Sequence, residues 1–145
     1  MNQVEIHYNE TKVLGLNPEF FVLWYQDLVG SFSKRLGEIN LIFCSDDYLL
    51  KKNQTVLKHD YYTDIITFDN CFLDVITGDL FISIDRVRDN AKNENTSFEN
   101  ELKRVCVHGV LHLCGLKDST EVEKQEMRSK ENFWLEKVPR ETLML

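Results

Sequence analysis

This chain has no apolar run approaching the ~20 residues that cross a bilayer. Its opening residues, Met1-Asn-Gln-Val-Glu-Ile6, hold no basic stretch followed by an apolar one, so no signal peptide is expected and the location reads as cytoplasmic. There is no Cys-x-x-Cys pair. Cys44, Cys71, Cys106 and Cys114 stand apart in apolar surroundings, which reads as buried free thiols in a reducing compartment. The chain also lacks an excess of basic residues: 17 Lys and Arg against 24 Asp and Glu leave a net charge of −7. Non-specific nucleic-acid binding rests on neutralising phosphates, so this balance argues against it without excluding a local basic face. Arg86, Arg88, Lys92, Lys103 and Arg104 are grouped, but Glu94, Glu99 and Glu101 are interspersed, and a solvated face of mixed charge is the expectation. No repeat, low-complexity tract or linker divides the 145 residues, a length that suits one domain, 1–145, with a core of its own.

What the chain does have is the run Val107-His-Gly-Val-Leu-His-Leu-Cys-Gly-Leu-Lys-Asp118. His108 and His112 are four residues apart, so on a helix they project from one face, one turn above the other. Two imidazoles so placed can grip one metal ion. Gly115 can end the helix in the left-handed conformation, and the returning chain brings Asp118 within reach of the same ion. Two His and one carboxylate leave a coordination position open, as catalytic sites do and structural zinc sites do not. Asp118 has a second reading, as the cap of the next helix in Asp118-Ser-Thr-Glu121, with Thr120-Glu-Val-Glu123 the competing capping box. The surrounding Val105, Val107, Val110, Leu111 and Leu113 favour the metal, because an unpartnered imidazole is costly to bury among them. Cys114 follows His112 by two residues, would point elsewhere on a continuing helix, and is not expected to be a ligand.

The remaining pattern predicts four strands and five helices. Val4–Tyr8 alternates as a strand. Asn17-Pro18 opens a helix to Phe32 with Phe21, Trp24, Leu28 and Phe32 as its core stripe. Gly37 breaks the chain before a strand at Glu38–Cys44, and Ser45 or Asp46 caps a short helix to about Asn53. Thr63–Phe68 and Gly78–Ile84 are strands. The stretch between them is too short for a crossover helix, so they are expected to be antiparallel neighbours. Asp85 is expected to cap a helix to about Glu94, Thr96-Ser-Phe-Glu99 to form a capping box for the His helix, and Thr120–Lys137 to form the last helix. The fold class is α+β, a small sheet covered by helices.

The His108–Asp118 run resembles the YbeY family of bacterial ribosomal-RNA maturation factors, whose motif is His-Gly-x-Leu-His-Leu-x-Gly-Tyr-Asp-His. Asp60-Tyr-Tyr-Thr-Asp-Ile-Ile-Thr-Phe68 is similar to the family's Asp-x-Pro-Thr-Asp-Val-Leu-Ser-Phe strand, and Gly78-Asp-Leu-Phe-Ile-Ser83 to its Gly-Asp-Ile strand. The similarity spans about residues 38 to 135. It implies a zincin-like fold with a mixed four-stranded sheet, one metal ion usually taken as Zn2+, and endonuclease action on single-stranded RNA. That action belongs to ribosomal-RNA processing at the 3′ end of the small-subunit RNA and to ribosome quality control. The implied partners are ribosomal RNA, the ribosomal particle, and ribosomal or GTPase assembly proteins. Carried over by position, His108 and His112 are catalytic metal ligands, and the family's third His falls on Asp118. Asp there makes the ion a weaker Lewis acid and favours harder metals. An Arg that the family carries before the Asp-x-Pro-Thr strand, assigned to RNA binding or catalysis, falls on Leu57, and Tyr62 stands at the Pro. Lys58 and His59 are the neighbouring RNA-binding candidates, with a solvated loop as the bland alternative for both.

Such a site can act through acidified water or through the RNA 2′-hydroxyl, and both routes stay open. Two rival readings remain. Metzincin-type proteases share the spacing but need Glu directly after the first His, where this chain has Gly109. Gly inside a helix costs about 1 kcal/mol relative to Ala, so close packing is the expected reason for it. The other rival is a non-catalytic ribosome-assembly factor with a structural metal, which the acidic charge and Leu57 favour.

Overall fold

Alternating apolar residues build the strands, and Asn, Ser and Thr caps open the helices. The computed structural model describes residues 3–58 and 62–145. The elements run β1 (Val4–Asn9), α1 (Pro18–Ser31), β2 (Arg35–Cys44), α2 (Asp46–Val56), β3 (Ile65–Asp69), β4 (Val75–Ser83), α3 (Ile84–Asn93), α4 (Phe98–Leu113) and α5 (Glu121–Glu136). The sheet order is β1-β2-β4-β3, with β1, β2 and β4 parallel and β3 antiparallel to β4. This is the expected α+β arrangement, a mixed four-stranded sheet with five helices among the described residues. β3 and β4 are antiparallel neighbours, as their short connection requires.

The two faces of the sheet are covered unequally. Ile39, Leu41 and Phe43 of β2 and Ile76, Leu80 and Ile82 of β4 join the main core with Phe21, Trp24 and Leu28 of α1 and Leu102, Val105 and Val110 of α4. Each fully buried large apolar side chain stabilises by roughly 1.5–3 kcal/mol. The opposite face carries a smaller cluster in which Leu49 of α2 meets Cys44 and Ile66. Helix α4 lies on β3 and β4, and α5 packs against α4. Gly109 permits that close approach: a Cβ there would sit 2.8 Å from Leu80 Cδ1 and 2.9 Å from Ile65 Cδ1.

Several local expectations need correction. Gly37 does not precede β2 but lies inside it, at a register shift between Leu36 and Ile39. A Cβ at Gly37 would sit 2.2 Å from Thr77 Oγ1, so glycine serves close strand approach there rather than chain breaking. Ser83, not Asp85, caps α3 by accepting from the Arg86 amide at 3.1 Å. Asp85 instead accepts from the Asp46 amide at 2.8 Å, tying α3 to the start of α2. Ser97 caps α4 by accepting from Asn100, where a box from Thr96 was expected. The box at α5 does form, between Thr120 and Glu123. Phe32 sits just past α1 as its cap residue and is only half-buried. Cys44, Cys106 and Cys114 are buried free thiols, whereas Cys71, on the β3–β4 turn, is half-buried. Burial pushes the Cys44 and Cys114 thiols up to about 12.

Candidate metal centre

The end of α4 is shaped by its own backbone. Gly115 has φ +107°, and the amides of Gly115 and Leu116 donate to His112 O and Leu111 O at 2.9 and 3.1 Å. These are the paired bonds of a Schellman motif, which reverses the chain directly after the helix. The reversal carries Asp118 back over the histidines: its Oδ2 lies 3.4 Å from His108 Nε2 and 3.3 Å from His112 Nε2. The three candidate ligand atoms lie within 4.8 Å of one another, and the two imidazole rings are edge-to-face at 4.5 Å. Asp118 caps nothing, since Thr120 performs that task.

Both imidazoles are held in the tautomer that a metal needs. His112 Nδ1 lies 2.8 Å from Leu116 O, and His108 Nδ1 lies 2.6 Å from Glu131 Oε2. A carbonyl and an ionised carboxylate only accept, so each Nδ1 donates, and in the neutral ring the lone pair is then on Nε2, turned toward the cluster. For ligand distances of about 2.0–2.1 Å, tetrahedral coordination has edges of about 3.3 Å. The His–Asp separations of 3.3 and 3.4 Å match those edges for one small divalent ion. Asp118 is also the most exposed of the three and lines both cavities beside the cluster.

Behind His108 stands a network that the sequence reading missed. Arg104 donates through Nη1 to Glu131 Oε1 at 3.0 Å and through Nε to Glu101 Oε1 at 2.9 Å, with a second contact from Nη2 to Glu101 Oε2. Glu101 and Glu131 are 1% and 2% exposed, so this is a buried carboxylate–guanidinium–carboxylate set. Burial pushes the Glu131 carboxyl up, but the hydrogen bonds and charges of His108 and Arg104 outweigh it and hold it below the ordinary glutamate range. Two carboxylates against one guanidinium leave one buried negative charge, which favours a cation at the far nitrogen of His108. Arg104 is thus no part of a solvated face. Of its basic neighbours, Arg86 pairs with Asp46 and Asp89, and Arg88 lies 5.0 Å over the Phe98 ring. Nothing local marked Glu131, because it comes 23 residues after His108 on a different helix. The one available sign was a Glu at the same helical spacing as the buried Met127.

The cluster sits where two cavities meet, of about 370 and 500 Å³, sharing Asp64, Ile65, His108 and Asp118. Asp64 is a further residue passed over: its Oδ2 accepts from Asn90 Nδ2 at 3.1 Å, and it faces both cavities. Leu57 lines the larger cavity. Lys58 lines neither and has φ +57°, while His59 lies outside the described residues. Cys114 is not in the cluster, as expected.

A family model described as Endoribonuclease YbeY matches residues 8–139. Relatives named Endoribonuclease YbeY include one from Porphyromonas gingivalis, 51% identical over 108 residues, covering 74% of this chain and 72% of that protein. Another, from Flavobacterium johnsoniae, is 49% identical over 128 residues, covering 88% and 92%. A solution structure of a Thermotoga maritima protein aligns with TM-score 0.59 at 27% identity, covering 91% of this chain and 87% of that one. The likeness therefore extends well beyond the histidine motif into every layer of the fold, and the chain belongs to the endoribonuclease YbeY family.

Proposed function

We propose that this protein is a metal-dependent endoribonuclease of the cytoplasm, a single catalytic domain that cuts single-stranded ribosomal RNA. Its tasks are maturation of the 3′ end of the small-subunit RNA and ribosome quality control, on the ribosomal particle and with ribosomal or GTPase assembly proteins. The observation that carries this reading is the convergence of His108 Nε2, His112 Nε2 and Asp118 Oδ2 at the junction of two open cavities.

His108, His112 and Asp118 would hold one ion, Zn2+ first, with the Asp118 charge shifting preference toward harder metals. When bound, the ion supplies Lewis acidity toward a phosphoryl oxygen and acidifies water at neutral pH. The chain's own residues do the rest. Glu131 and Leu116 O fix the two ring orientations, Arg104 holds Glu131 in place, and Asp64 adds a carboxylate facing the cleft. Gly109 removes the general base a zinc peptidase needs, and its packing on Leu80 and Ile65 accounts for the residue in terms of fold.

The test is cleavage of single-stranded RNA by purified protein, as isolated and after chelation. Cutting should stop with chelator, return with added divalent metal, and be absent in His108→Ala. Undiminished cutting after chelation would refute the metal requirement. No cutting by metal-loaded wild type would favour the assembly-factor reading. Normal small-subunit RNA ends in a deletion strain would remove the ribosomal role.

A further inference from the structure

The two arms of the cleft differ in chemistry. The larger arm is lined by Leu57, Thr67 and Asp69 among others, and no Lys or Arg lines it among the described residues. The smaller arm runs toward α5 and is lined by Arg104, Lys124 and Arg128. Arg104 is committed to Glu101 and Glu131, so the available cations are Lys124 and Arg128. Both are half-exposed or more, and their nearest carboxylates stand 3.9 Å away, beyond hydrogen-bonding distance: Glu121 for Lys124 and Glu131 for Arg128. The two cations are four residues apart on α5, one turn and about 6 Å along the axis. That rise is close to the phosphate repeat of an extended single strand. Past them the surface continues as a shallow groove of about 410 Å³ lined by Lys124, Gln125, Arg128, Ser129 and Asn132, with no carboxylate in its lining.

We propose that this face of α5 is the polynucleotide track of the protein: Lys124 and Arg128 take successive phosphates on one side of the scissile bond, and Gln125, Ser129 and Asn132 bond the backbone beyond. The assignment rests on the RNA-cleaving reading and names the part of the surface that serves it. In a chain of net charge −7, a polyanion approaches where the local field is least negative. A groove that presents two cations and no carboxylate in its own lining, and that shares Lys124 and Arg128 with the cavity at the candidate metal centre, meets that condition. The Leu57 arm does not: Asp64 and Asp118 line both arms, but this one adds Asp69 and no Lys or Arg among the described residues. Phosphate contacts position a strand without reading its sequence, so the track sets placement and not base preference.

The experiment measures binding of a labelled, unstructured 2′-O-methyl oligouridine by anisotropy across a salt series, for wild type, the double variant Lys124→Gln/Arg128→Gln, and the control Lys51→Gln/Lys130→Gln. The control removes the same net charge from exposed positions off the track. Each single-strand phosphate contact contributes about 0.7 to the slope of log K against log salt. The track variant should lose about 1.4 from that slope and roughly tenfold in affinity, while the control keeps the wild-type slope. On a cleavable strand its KM should rise with kcat retained. An unchanged slope in the track variant, or an equal loss in the control, would overturn the proposal. So would weakened attachment to ribosomal particles with oligouridine binding intact, which would assign the groove to a protein contact. Wild type that binds metal but no oligouridine would instead overturn the RNA-cleaving reading on which the track depends.

Discussion

Replacing Glu131 with Gln changes one oxygen to NH2 and nothing in size, yet the geometry leaves the amide no good orientation. Glu131 Oε1 accepts from Arg104 at 3.0 Å and Oε2 accepts from His108 Nδ1 at 2.6 Å, so both neighbours are donors. If the amide nitrogen faces Arg104, two donors meet in a buried site. If it faces His108, the ring must accept at Nδ1 and carry its proton on Nε2, the nitrogen turned toward Asp118. The first outcome costs stability and the second blocks the metal. Loss of a supporting partner of this kind typically costs 10–100-fold in metal affinity, about 1.4–2.7 kcal/mol. Breaking a buried charged pair costs about 3–5 kcal/mol, and the lower end applies here because Arg104 keeps Glu101. For a chain of this size that is a fall of about 6–12 °C in Tm. Competition against a chromophoric chelator gives the affinity, and calorimetry of metal-free protein gives the Tm. A variant with wild-type affinity for zinc and wild-type Tm would refute the reasoning, since it would show that His108 does not depend on Glu131 for its tautomer.

Asp118→His should fold and bind zinc, because three imidazoles leave more net positive charge on the ion; zinc bound by wild type but not by the variant would show that Asp118 acts outside the coordination shell. His112→Ala should abolish stoichiometric metal in purified protein by elemental analysis, and equal metal in both proteins would remove the site from this motif. Glu131 is held below the ordinary glutamate range, so its contribution to stability is complete above about pH 4.5 and is lost as pH falls through its lower folded value. Urea titrations of metal-free protein should therefore show a steep acid limb that flattens in Glu131→Gln, and parallel limbs would contradict it. Gly109→Ala gains about 1 kcal/mol of helix propensity but drives a methyl into Leu80 and Ile65, and overpacking of this kind costs about 1–3 kcal/mol. The net effect on chemical denaturation should be destabilising by up to about 2 kcal/mol, and a stabilised variant would mean that α4 shifts freely on the sheet.

The sequence by itself determined what lies within one turn or one reversal of the chain. The i, i+4 pair, the left-handed Gly115 and the return of Asp118 span 11 residues, so helical periodicity and one positive φ are enough to bring them together. The antiparallel β3–β4 pair was legible for the same reason, and the start of α5 was narrowed to two boxes of which Thr120–Glu123 forms, since short connections and local hydrogen bonds leave few alternatives. Only the tertiary structure decided which helix backs the site. Arg104 reads as one cation in a mixed-charge run until α5 docks on α4 and sets Glu131 between it and His108. The position of Gly37 inside β2 likewise depends on Thr77 of another strand. Periodicity says which face of an element is apolar, but not which partner that face meets or which buried polar groups it must satisfy. Those are settled by the packing of elements distant in sequence, and here that packing put a carboxylate behind the histidine and a cation-bearing helix face beside the cleft.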